Sequence, residues 1–321
     1  METVLVTGAA GFIGSNLVAA LLKEGYRVVG VDNFDDTYET HFKEAHLAPF
    51  ASDKNFVLER VDITDGPAFD AVVQREKPTY LVHLAAKADT RAAVESPDIY
   101  VSVNVHGTLN VLESARKAGV KETVVASSSS VYGNDADVPW VETAMADKPI
   151  SPYGATKRAT ELLAHSYHHN FGMNIVCLRY FNVYGENNRP GMVPYKWTEA
   201  LLKGEEIEMS GEGTRRRDYT YVGDTVRATI AAMKSGIGFE IINVGNNKPL
   251  SLRELLTLLE GATGKTATVH SRPSHPASVE ITYADGEKAK RLLNWEPEMP
   301  VEEGFGRLVA WFRDNRLKQG E

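Results

Sequence analysis

The stretch "TGAAGFIGSN" (residues 7–16) carries three glycines at three-residue intervals directly after a short apolar run: Gly8, Gly11 and Gly14. Such a loop between a strand and a helix makes a tight turn and lets backbone N–H groups approach a pyrophosphate at a helix N-terminus, which favours negative charge. Asp32 ends the next apolar run, where a carboxylate can accept hydrogen bonds from an adenosine ribose. Because an acid at this position repels the 2′-phosphate of NADP, the pattern predicts binding of NAD.

Short valine-rich runs alternate with amphipathic segments through the first half of the chain. We predict strands buried on both faces of a parallel sheet at residues 3–8, 27–32, 55–62, 80–86, 122–128 and 174–183. Between them, helices are predicted at residues 14–24, 98–118 and 152–171. This alternation predicts an α/β fold with a doubly wound parallel sheet, the Rossmann architecture.

Beyond about residue 185 the alternation weakens, and loops rich in Gly and Pro separate the predicted helices at about 193–203, 223–235, 251–263 and 302–317. The sequence therefore predicts two domains. Residues 1–185 form the NAD-binding Rossmann domain, and residues 186–321 form a smaller C-terminal α/β domain that faces the substrate. Some crossover of the chain between the two is expected.

The composition of the 321-residue chain argues against several kinds of partner. Its formal net charge of −8 disfavours general affinity for nucleic acid or an anionic membrane surface, because clustered Lys and Arg hold those partners. A single cysteine, Cys177, excludes an internal disulfide and a Cys-based zinc site, and no metal site is predicted. No signal peptide and no run of about 18 apolar residues is visible, so a cytoplasmic location is expected.

A second motif, "ISPYGATKRATELL" (residues 150–163), places Tyr153 and Lys157 four residues apart. On a helix they share one face. A phenol with a pKa near ~10 is a poor base at neutral pH. A neighbouring ammonium and a cationic nicotinamide would favour the phenolate and bring this pKa toward the useful range. The pair is therefore a candidate for base catalysis.

Taken together, the motifs of this chain resemble those of the extended short-chain dehydrogenases/reductases, in the nucleotide-sugar epimerase and dehydratase family. The resemblance covers essentially the whole chain. Beside the glycine loop it rests on Asp32-Asn33, Asp62-Ile63, "HLAA" (83–86), "NVHGTLNVLE" (104–113), "SSSSVYG" (127–133), Tyr153-x-x-x-Lys157, "RYFNVYG" (179–185) and "RRDYTYVGDTV" (216–226).

The resemblance implies an enzyme with tightly bound NAD, a nucleotide sugar held between the two domains, and a homodimer. Its interface would be a four-helix bundle built from helices near 98–117 and 152–171. The residues that match the family's cofactor contacts are Gly8, Gly11, Phe12, Ile13, Gly14, Asp32, Asn33, Lys43, Asp62, Ile63, Leu84, Ala85, Ala86, Asn104, Tyr153, Lys157 and Tyr180.

The resemblance also implies catalytic roles for three residues. Tyr153 takes the proton of the sugar 4-hydroxyl while C4 gives a hydride to NAD, and Ser128 hydrogen-bonds the same oxygen. Lys157 holds the cofactor ribose and tunes Tyr153. The 4-keto sugar then rotates in the site, and the hydride returns to the opposite face of C4. The predicted reaction is therefore a 4-epimerisation without net redox change.

The serines of "VVASSSSVYG" (residues 124–133) separate this reaction from others in the family. Members that eliminate water resemble Thr-Asp-Glu before Val-Tyr-Gly, and UDP-glucuronate decarboxylases have a glutamate there. Ser129 and Ser130 stand where those carboxylates would be, and a serine cannot act as a carboxylate acid or base at pH 7. Epimerisation is therefore favoured over an NDP-sugar dehydratase. A non-catalytic NAD-binding relative would be expected to lack Tyr153 or Lys157.

Several segments resemble UDP-glucuronate 4-epimerases in particular: "DNFDDTYETHFKEAHL" (32–47), "RPGM" (189–192) with Lys196, and "TYAD" (282–285). In such an enzyme the three serines 128–130 and Arg189 can surround the substrate carboxylate. The residues expected to contact the substrate are Lys87, Arg91, Ser128, Ser129, Ser130, Asn182, Arg189, Val193, Arg217 and Arg272.

Two positions depart from the glucuronate branch. Asn182 matches the UDP-glucose and UDP-galactose 4-epimerases, whereas the glucuronate branch usually has threonine. Ala277-Ser278 replaces the usual Gly-Asp, so a common ribose contact is missing, and Arg272 or His275 is a candidate substitute. UDP-glucuronate/UDP-galacturonate is therefore the preferred substrate pair, with UDP-glucose/UDP-galactose as the alternative.

Overall fold

A parallel sheet of seven strands forms the centre of the molecule, in the order β11-β6-β5-β4-β1-β2-β3. The computed structural model describes residues 1–134, 137–273 and 278–317. Its strands are β1 (Thr3–Thr7), β2 (Arg27–Val31), β3 (Phe56–Glu59), β4 (Tyr80–His83), β5 (Glu122–Ser128), β6 (Ile175–Tyr180), β7 (Val183–Tyr184), β8 (Ile207–Ser210), β9 (Arg216–Arg217), β10 (Thr220–Tyr221), β11 (Phe239–Val244), β12 (Leu250–Ser251) and β13 (Val269–Arg272). The strands outside the large sheet form three pairs, β10 with β7, β12 with β9, and β13 with β8.

Helices cover both faces of the large sheet and form most of the C-terminal part. They are α1 (Phe12–Lys23), α2 (Thr40–Leu47), α3 (Gly66–Glu76), α4 (Ala92–Glu95), α5 (Pro97–Tyr100), α6 (Gly107–Ala118), α7 (Pro152–Phe171), α8 (Val193–Lys203), α9 (Val222–Lys234), α10 (Leu252–Thr263), α11 (Glu287–Leu293) and α12 (Val301–Phe312). Short 3-10 turns lie at Ala48–Phe50 and Ser129–Val131, and π-helical turns at Val101–His106 and Arg313–Leu317.

The predicted doubly wound parallel sheet is confirmed, and all six predicted strands occur in it. The structure shortens several of them because their last residues leave the sheet toward its carboxyl edge. The run 80–86 illustrates this: β4 ends at His83, and the Ala85 N–H then donates to the Thr7 hydroxyl at 3.2 Å. The four helices predicted beyond residue 185 are also present, and the last of them ends as an α-helix at Phe312 before its π-helical turn.

The seventh strand of the large sheet, β11, was not predicted from the sequence. It pairs in parallel with β6 over its whole length, from Phe239 opposite Ile175 to Val244 opposite Tyr180. The chain therefore returns to the large sheet after building α8 and the strand pairs beside it. Strand pairing over so large a separation in sequence leaves no local signal.

The helix predicted at 98–118 is interrupted by the π-helical turn Val101–His106, where the Gly107 N–H bonds to the Ser102 carbonyl. Such turns are rare and are frequently found at functional sites. Here the turn carries Asn104, whose side chain contacts the loop that follows β4. The π-helical turn therefore presents a buried amide toward the carboxyl edge of the sheet.

The carboxyl edge of the large sheet brings the sequence motifs together. The glycine loop follows β1, the "HLAA" segment ends β4, and the serine run ends β5. Strand order reverses between β1 and β4, and in open α/β sheets ligands bind in the crevice at such a switch point. The fold therefore predicts the position of the functional site.

Candidate active site

The glycine loop packs so closely that side chains are excluded from it. A Cβ at Gly14 would lie 2.0 Å from the Gly8 carbonyl oxygen, and a Cβ at Gly8 would lie 2.8 Å from the Ala85 nitrogen. Gly8 also has a φ of +70°, a left-handed conformation that glycine adopts without strain. The motif is therefore required by the geometry of the loop.

A cavity of about 1010 Å³ opens beside this loop. Of the residues predicted to bind the cofactor, those that line it are Phe12, Ile13, Gly14, Leu84, Ala86, Tyr153, Lys157 and Tyr180. Of those predicted to bind the substrate, those that line it are Arg91, Ser128, Ser129, Ser130, Asn182, Arg189, Val193, Arg217 and Arg272. One cavity thus gathers the catalytic candidates and most of the predicted binding residues.

The remaining predicted residues are not part of the cavity lining: Gly8, Gly11, Asp32, Asn33, Lys43, Asp62, Ile63, Ala85, Lys87 and Asn104. Asp32 follows β2, and its carboxylate accepts from the Ala10 N–H at 3.0 Å and from the Phe34 N–H at 2.8 Å. Burial raises the pKa of Asp32, and these hydrogen bonds oppose that effect. Asn33 donates to Asp62 at 2.8 Å.

Lys43 and Lys87 are both engaged by Asp35. The Lys43 ammonium is ion-paired with the Asp35 carboxylate, and the Lys87 ammonium lies 2.7 Å from its other oxygen. Lys87 also donates to the Thr37 hydroxyl at 2.8 Å. Burial acts to raise the pKa of Asp35, but the two ammonium groups outweigh it and hold the pKa well below its usual range. The structure therefore does not bring Lys87 to the cavity with the other predicted substrate residues.

Asn104 is hydrogen-bonded to two segments next to the cavity but does not line it. Its amide nitrogen donates to the Lys87 carbonyl at 3.0 Å and to the Thr156 hydroxyl at 2.9 Å. Its oxygen accepts from the Lys87 N–H at 2.9 Å. The side chain thus connects the loop after β4 to α7.

The three catalytic candidates meet where β5 faces the first turns of α7. The Tyr153 hydroxyl lies beside the Ser128 side chain, which acts to lower the pKa of Tyr153. Ser128 also contacts Ser130, with 3.2 Å between the two hydroxyl oxygens. Lys157, one turn further along α7, donates from Nζ to the Ala126 carbonyl at 2.8 Å. All three side chains are buried, so their polar groups act away from bulk water.

Burial dominates the ionisation of this group. Burial raises the pKa of Tyr153, and the hydrogen bond from Ser128 and the charge of Arg189 oppose it. Burial lowers the pKa of Lys157 to about 8, and the nearby charge of Glu161 opposes that shift. The positive charge that favours the Tyr153 phenolate in this structure is therefore that of Arg189. The predicted influence of Lys157 on Tyr153 stays a prediction.

Arg189 and Asn182 are held by neighbouring segments. Arg189 donates from Nη2 to the Ala88 carbonyl at 2.6 Å. Asn182 has a φ of +21°, and its side-chain oxygen accepts from the Thr282 hydroxyl at 3.0 Å. This contact turns the amide NH₂ of Asn182 away from Thr282. Both side chains are thus oriented before any ligand binds.

The far end of the cavity is basic at two positions predicted from sequence. Arg217 donates to the Arg216 carbonyl at 2.7 Å and to the Val279 carbonyl at 2.7 Å. Arg272 lies 3.1 Å from the Glu208 carboxylate. Ser278 also lines the cavity, whereas His275 and Ala277 lie outside the described residues.

Cys177 is a buried free cysteine. Among residues 1–134, 137–273 and 278–317, no cluster of three or more His, Cys, Asp or Glu side chains could hold a metal ion. Within the same ranges, no helix combines the length and apolar character needed to cross a membrane.

The residues of the glycine loop fit a dinucleotide. The N-cap of α1 is Gly11, which supplies no side-chain hydrogen bond, and the first turn of the helix contains no acidic residue. The N–H groups at this helix start therefore suit an anion such as a pyrophosphate. Phe12, Ile13 and Gly14 of this turn reach the cavity lining, where a side chain at Gly14 would not fit.

Comparison with known families agrees with this geometry. Residues 4–245 match the model of the NAD dependent epimerase/dehydratase family. The chain belongs to this family. The family resemblance predicted from the motifs is thereby confirmed, and the match extends through β11.

Individual members of the family cover almost the whole chain. A UDP-glucuronate 4-epimerase from Thermodesulfobacterium geofontis (strain OPF15) is 43% identical over 312 residues, which are 97% of this chain and 96% of that protein. The crystal structure of UDP-glucuronic acid 4-epimerase from Bacillus cereus in complex with UDP-glucuronic acid and NAD matches with a TM-score of 0.92 and 34% identity, covering 98% of this chain and 99% of the other.

A second branch of the epimerase/dehydratase family is structurally close as well. The UDP-glucose 4-epimerase from Thermotoga maritima, solved with UDP-glucose, has a TM-score of 0.90 and 34% identity, covering 98% of this chain and 99% of the other. The two structures match this chain almost equally, so similarity of the fold alone does not separate the two sugars.

Two residues near the site were missed by the sequence reasoning. Glu161 lies in the motif of Tyr153 and Lys157, four residues after the lysine, but an isolated glutamate on a helix usually indicates a solvated face. Here its carboxylate is completely buried. Thr282 was noted only as part of "TYAD", and its contact with Asn182 depends on the tertiary fold.

Proposed function

We propose that this chain is an NAD-dependent UDP-sugar 4-epimerase that interconverts UDP-glucuronate and UDP-galacturonate through a transient 4-keto sugar. Membership of the NAD dependent epimerase/dehydratase family and the 43% identity to a UDP-glucuronate 4-epimerase support the proposal. The bound NAD would accept the C4 hydride and return it, so that the reaction requires no added reductant.

The observation that carries the proposal is that Ser128, Tyr153 and Lys157 line the wall of one cavity, with Ser128 beside Tyr153. A sugar 4-hydroxyl placed against this pair can give its proton to Tyr153 while Ser128 holds the same oxygen. Lys157, whose ammonium donates to the Ala126 carbonyl, would contact the cofactor ribose. These residues supply proton transfer and orientation in a site with little access to water.

The uncharged serines favour epimerisation over elimination. Ser129 and Ser130 line the cavity where water-eliminating members carry carboxylates. Elimination of water across C5 and C6 needs a general acid and a general base beside these carbons, and serine hydroxyl groups supply neither at neutral pH. The same hydroxyls can donate hydrogen bonds to the substrate carboxylate and keep the β-keto acid away from the geometry that releases carbon dioxide.

We also propose how the two parts of the chain share the ligands. Residues 1–185 would hold NAD, and residues 186–321 would hold the nucleotide of the sugar, with Arg217 as a charge-assisted donor to the diphosphate. The position of Arg217 in the cavity lining supports this assignment.

The function is tested by incubating the purified protein with UDP-glucuronate and following the products by NMR. We expect UDP-galacturonate to appear without added reductant. Formation of a 4-keto-6-deoxy sugar in parallel incubations with UDP-glucose would instead identify a dehydratase. UDP-xylose and UDP-N-acetylglucosamine complete the panel of substrates.

Arg189→Ala tests the choice of sugar. If Arg189 holds the C6 carboxylate, the variant should lose about ten-fold or more in kcat/KM with UDP-glucuronate beyond its loss with UDP-glucose, because a charge-assisted hydrogen bond disappears only for the acid. Any effect through Tyr153 is common to both sugars, so the ratio of the two losses isolates the carboxylate contact.

Equal losses on both sugars, or no turnover of UDP-glucuronate by the parent protein, would favour the UDP-glucose/UDP-galactose alternative. Asn182 supports that alternative, because it matches the glucose branch. The amide has a fixed orientation in the cavity, with its oxygen bound to Thr282.

We further propose a homodimer that pairs the helices between residues 97 and 118 with α7. Apolar side chains on these segments are unusually exposed, with Ile99 at 45%, Val101 at 46% and Leu162 at 55%. Burying them against a second copy would remove this apolar surface from water.

Leu162→Glu should therefore shift the protein from the mass of two chains to that of one in sedimentation velocity. Val269→Glu is the matched control, since Val269 is also partly exposed, at 39%, but lies on β13 rather than on these helices. A monomeric parent would contradict the proposed dimer.

A further inference from the structure

Helix α7 presents three residues, one per turn, to the end of β5. Tyr153 lies beside Ser128, and Lys157 donates to the Ala126 carbonyl at 2.8 Å. Glu161, the third in the row, accepts from the Ser127 hydroxyl at 2.6 Å. Each of the last three residues of β5 therefore contacts a different turn of the same helix.

Glu161 is also the centre of a buried charge network. Arg179 on β6 donates to both carboxylate oxygens, from Nε at 2.7 Å and from Nη2 at 2.8 Å. Arg158 donates to the second oxygen at 2.9 Å. The Glu161 side chain is 0% exposed and that of Arg179 is 1% exposed. The carboxylate thereby connects α7 to two adjacent strands of the sheet.

Such a network is not required for stability alone. Removing two charges from water carries a desolvation cost that can exceed their attraction, and well-packed apolar side chains often replace a buried ion pair without loss. What an ion pair with four hydrogen bonds adds is a fixed distance and direction between the elements that it joins. Here those elements carry Ser128 and Tyr153.

We infer that Glu161 is a positioning residue of the epimerase site, which sets the placement of β5 against α7 and thereby the contact of Ser128 with Tyr153. The inference rests on the proposed function, because it is the alignment of these two hydroxyl groups on the sugar oxygen that Glu161 would maintain. Glu161 itself does not contact the sugar or the cofactor in this arrangement.

Glu161 also contributes to the electrostatic environment of Lys157. The groups that face the Lys157 ammonium are Glu161 on its own helix, Cys177 on β6 and His83 on β4. Burial lowers the pKa of Lys157 to about 8, and Glu161 acts in the opposite direction. Burial also lowers the pKa of His83 to about 3 and raises that of the Cys177 thiol, so both are neutral near pH 7. Glu161 is then the anionic group among them that acts to raise the pKa of Lys157.

Glu161→Gln is the primary test, because it keeps the shape of the side chain and removes its charge. We expect kcat at pH 7 to fall about ten-fold or more with KM within about two-fold, since alignment in the reaction is lost rather than binding. The alkaline limb of the pH profile should move to lower pH. A second readout, independent of turnover, is the titration of Lys157 followed by NMR of ¹³Cε-labelled lysine and assigned with Lys157→Arg.

Asp224→Asn is the matched control. Asp224 is likewise a buried helical carboxylate paired with an arginine three residues on, Arg227, at 2.8 Å. Its other oxygen accepts from the backbone of residues 298 and 299, away from the cavity. This variant should lose thermal stability while leaving the alkaline limb and the Lys157 titration where they are in the parent.

Ser127→Ala is the second test, for the case that Glu161→Gln does not fold. It removes the hydrogen bond between Ser127 on β5 and Glu161, and it leaves the ion pair of Glu161 and Arg179 in place. We therefore expect kcat to fall several-fold, with a melting temperature close to that of the parent. Unchanged kcat in both Ser127→Ala and a folded Glu161→Gln would overturn the inference. If the parent turns over no UDP-sugar, the proposed function fails, and a Lys157 titration unchanged in Glu161→Gln would then overturn the inference by itself.

Discussion

Tyr153→Phe is expected to lower kcat for epimerisation by about 10³-fold, the range typical of a lost general acid–base group. The variant loses one hydroxyl, and the ring remains in its buried position beside Tyr100, with 6.4 Å between the ring centroids. Folding should therefore be intact, with a melting temperature within a few degrees of the parent. Product formation by NMR and thermal denaturation monitored by circular dichroism measure the two quantities.

Tyr167→Phe serves as the control for this variant. Tyr167 lies on the same helix, and its hydroxyl donates to Glu113 at 3.2 Å outside the cavity. Its removal should leave kcat within about two-fold of the parent value, because the group takes no part in the proposed reaction. Near-normal turnover by Tyr153→Phe would show that another group is the base.

Gly14→Ala is expected to have the largest effect on stability. The Cβ of the new alanine would lie 2.0 Å from the Gly8 carbonyl oxygen. Because this oxygen belongs to the backbone, the loop or α1 must shift. Overpacking of this kind costs about 3 kcal/mol in severe cases. The same shift displaces the N–H groups that suit the pyrophosphate, so the protein should also fail to retain NAD through gel filtration.

Gly261→Ala provides a contrast of opposite sign. Gly261 lies within α10, and nothing approaches its would-be Cβ within 4 Å. Alanine there should stabilise the protein by up to about 1 kcal/mol, because glycine is a poorer helix former. Urea denaturation of both variants measures the two changes, and a Gly14→Ala protein as stable as its parent would show that the loop does not have the described packing.

The sequence was sufficient to predict six of the seven strands of the large sheet and part of the cavity lining because their signals are local. The glycine loop, the strand runs and the Tyr153 motif are each recognised from neighbouring residues. The family membership follows from the same motifs, since their order along the chain is specific.

The contacts between distant segments could not be predicted. Lys87 matches a substrate residue by position in sequence, but its ammonium is ion-paired with Asp35, a partner that only the fold brings near. Asn104 supports the loop from behind for the same reason. The charge of Glu161 suggested a solvated helix face, and only the position of Arg179 on β6 explains why it can be buried.

Strand β11 has a consequence for how the chain folds during synthesis. Until residue 244 has left the ribosome, β6 is an edge strand whose backbone N–H and C=O groups lack a neighbour on one side. From Ile175 to Leu178 β6 is apolar, and the whole strand is buried in the finished protein, which makes it prone to pair with other chains. A nascent or truncated chain that stops after the Rossmann motifs would therefore be aggregation-prone, although it contains every catalytic residue named above.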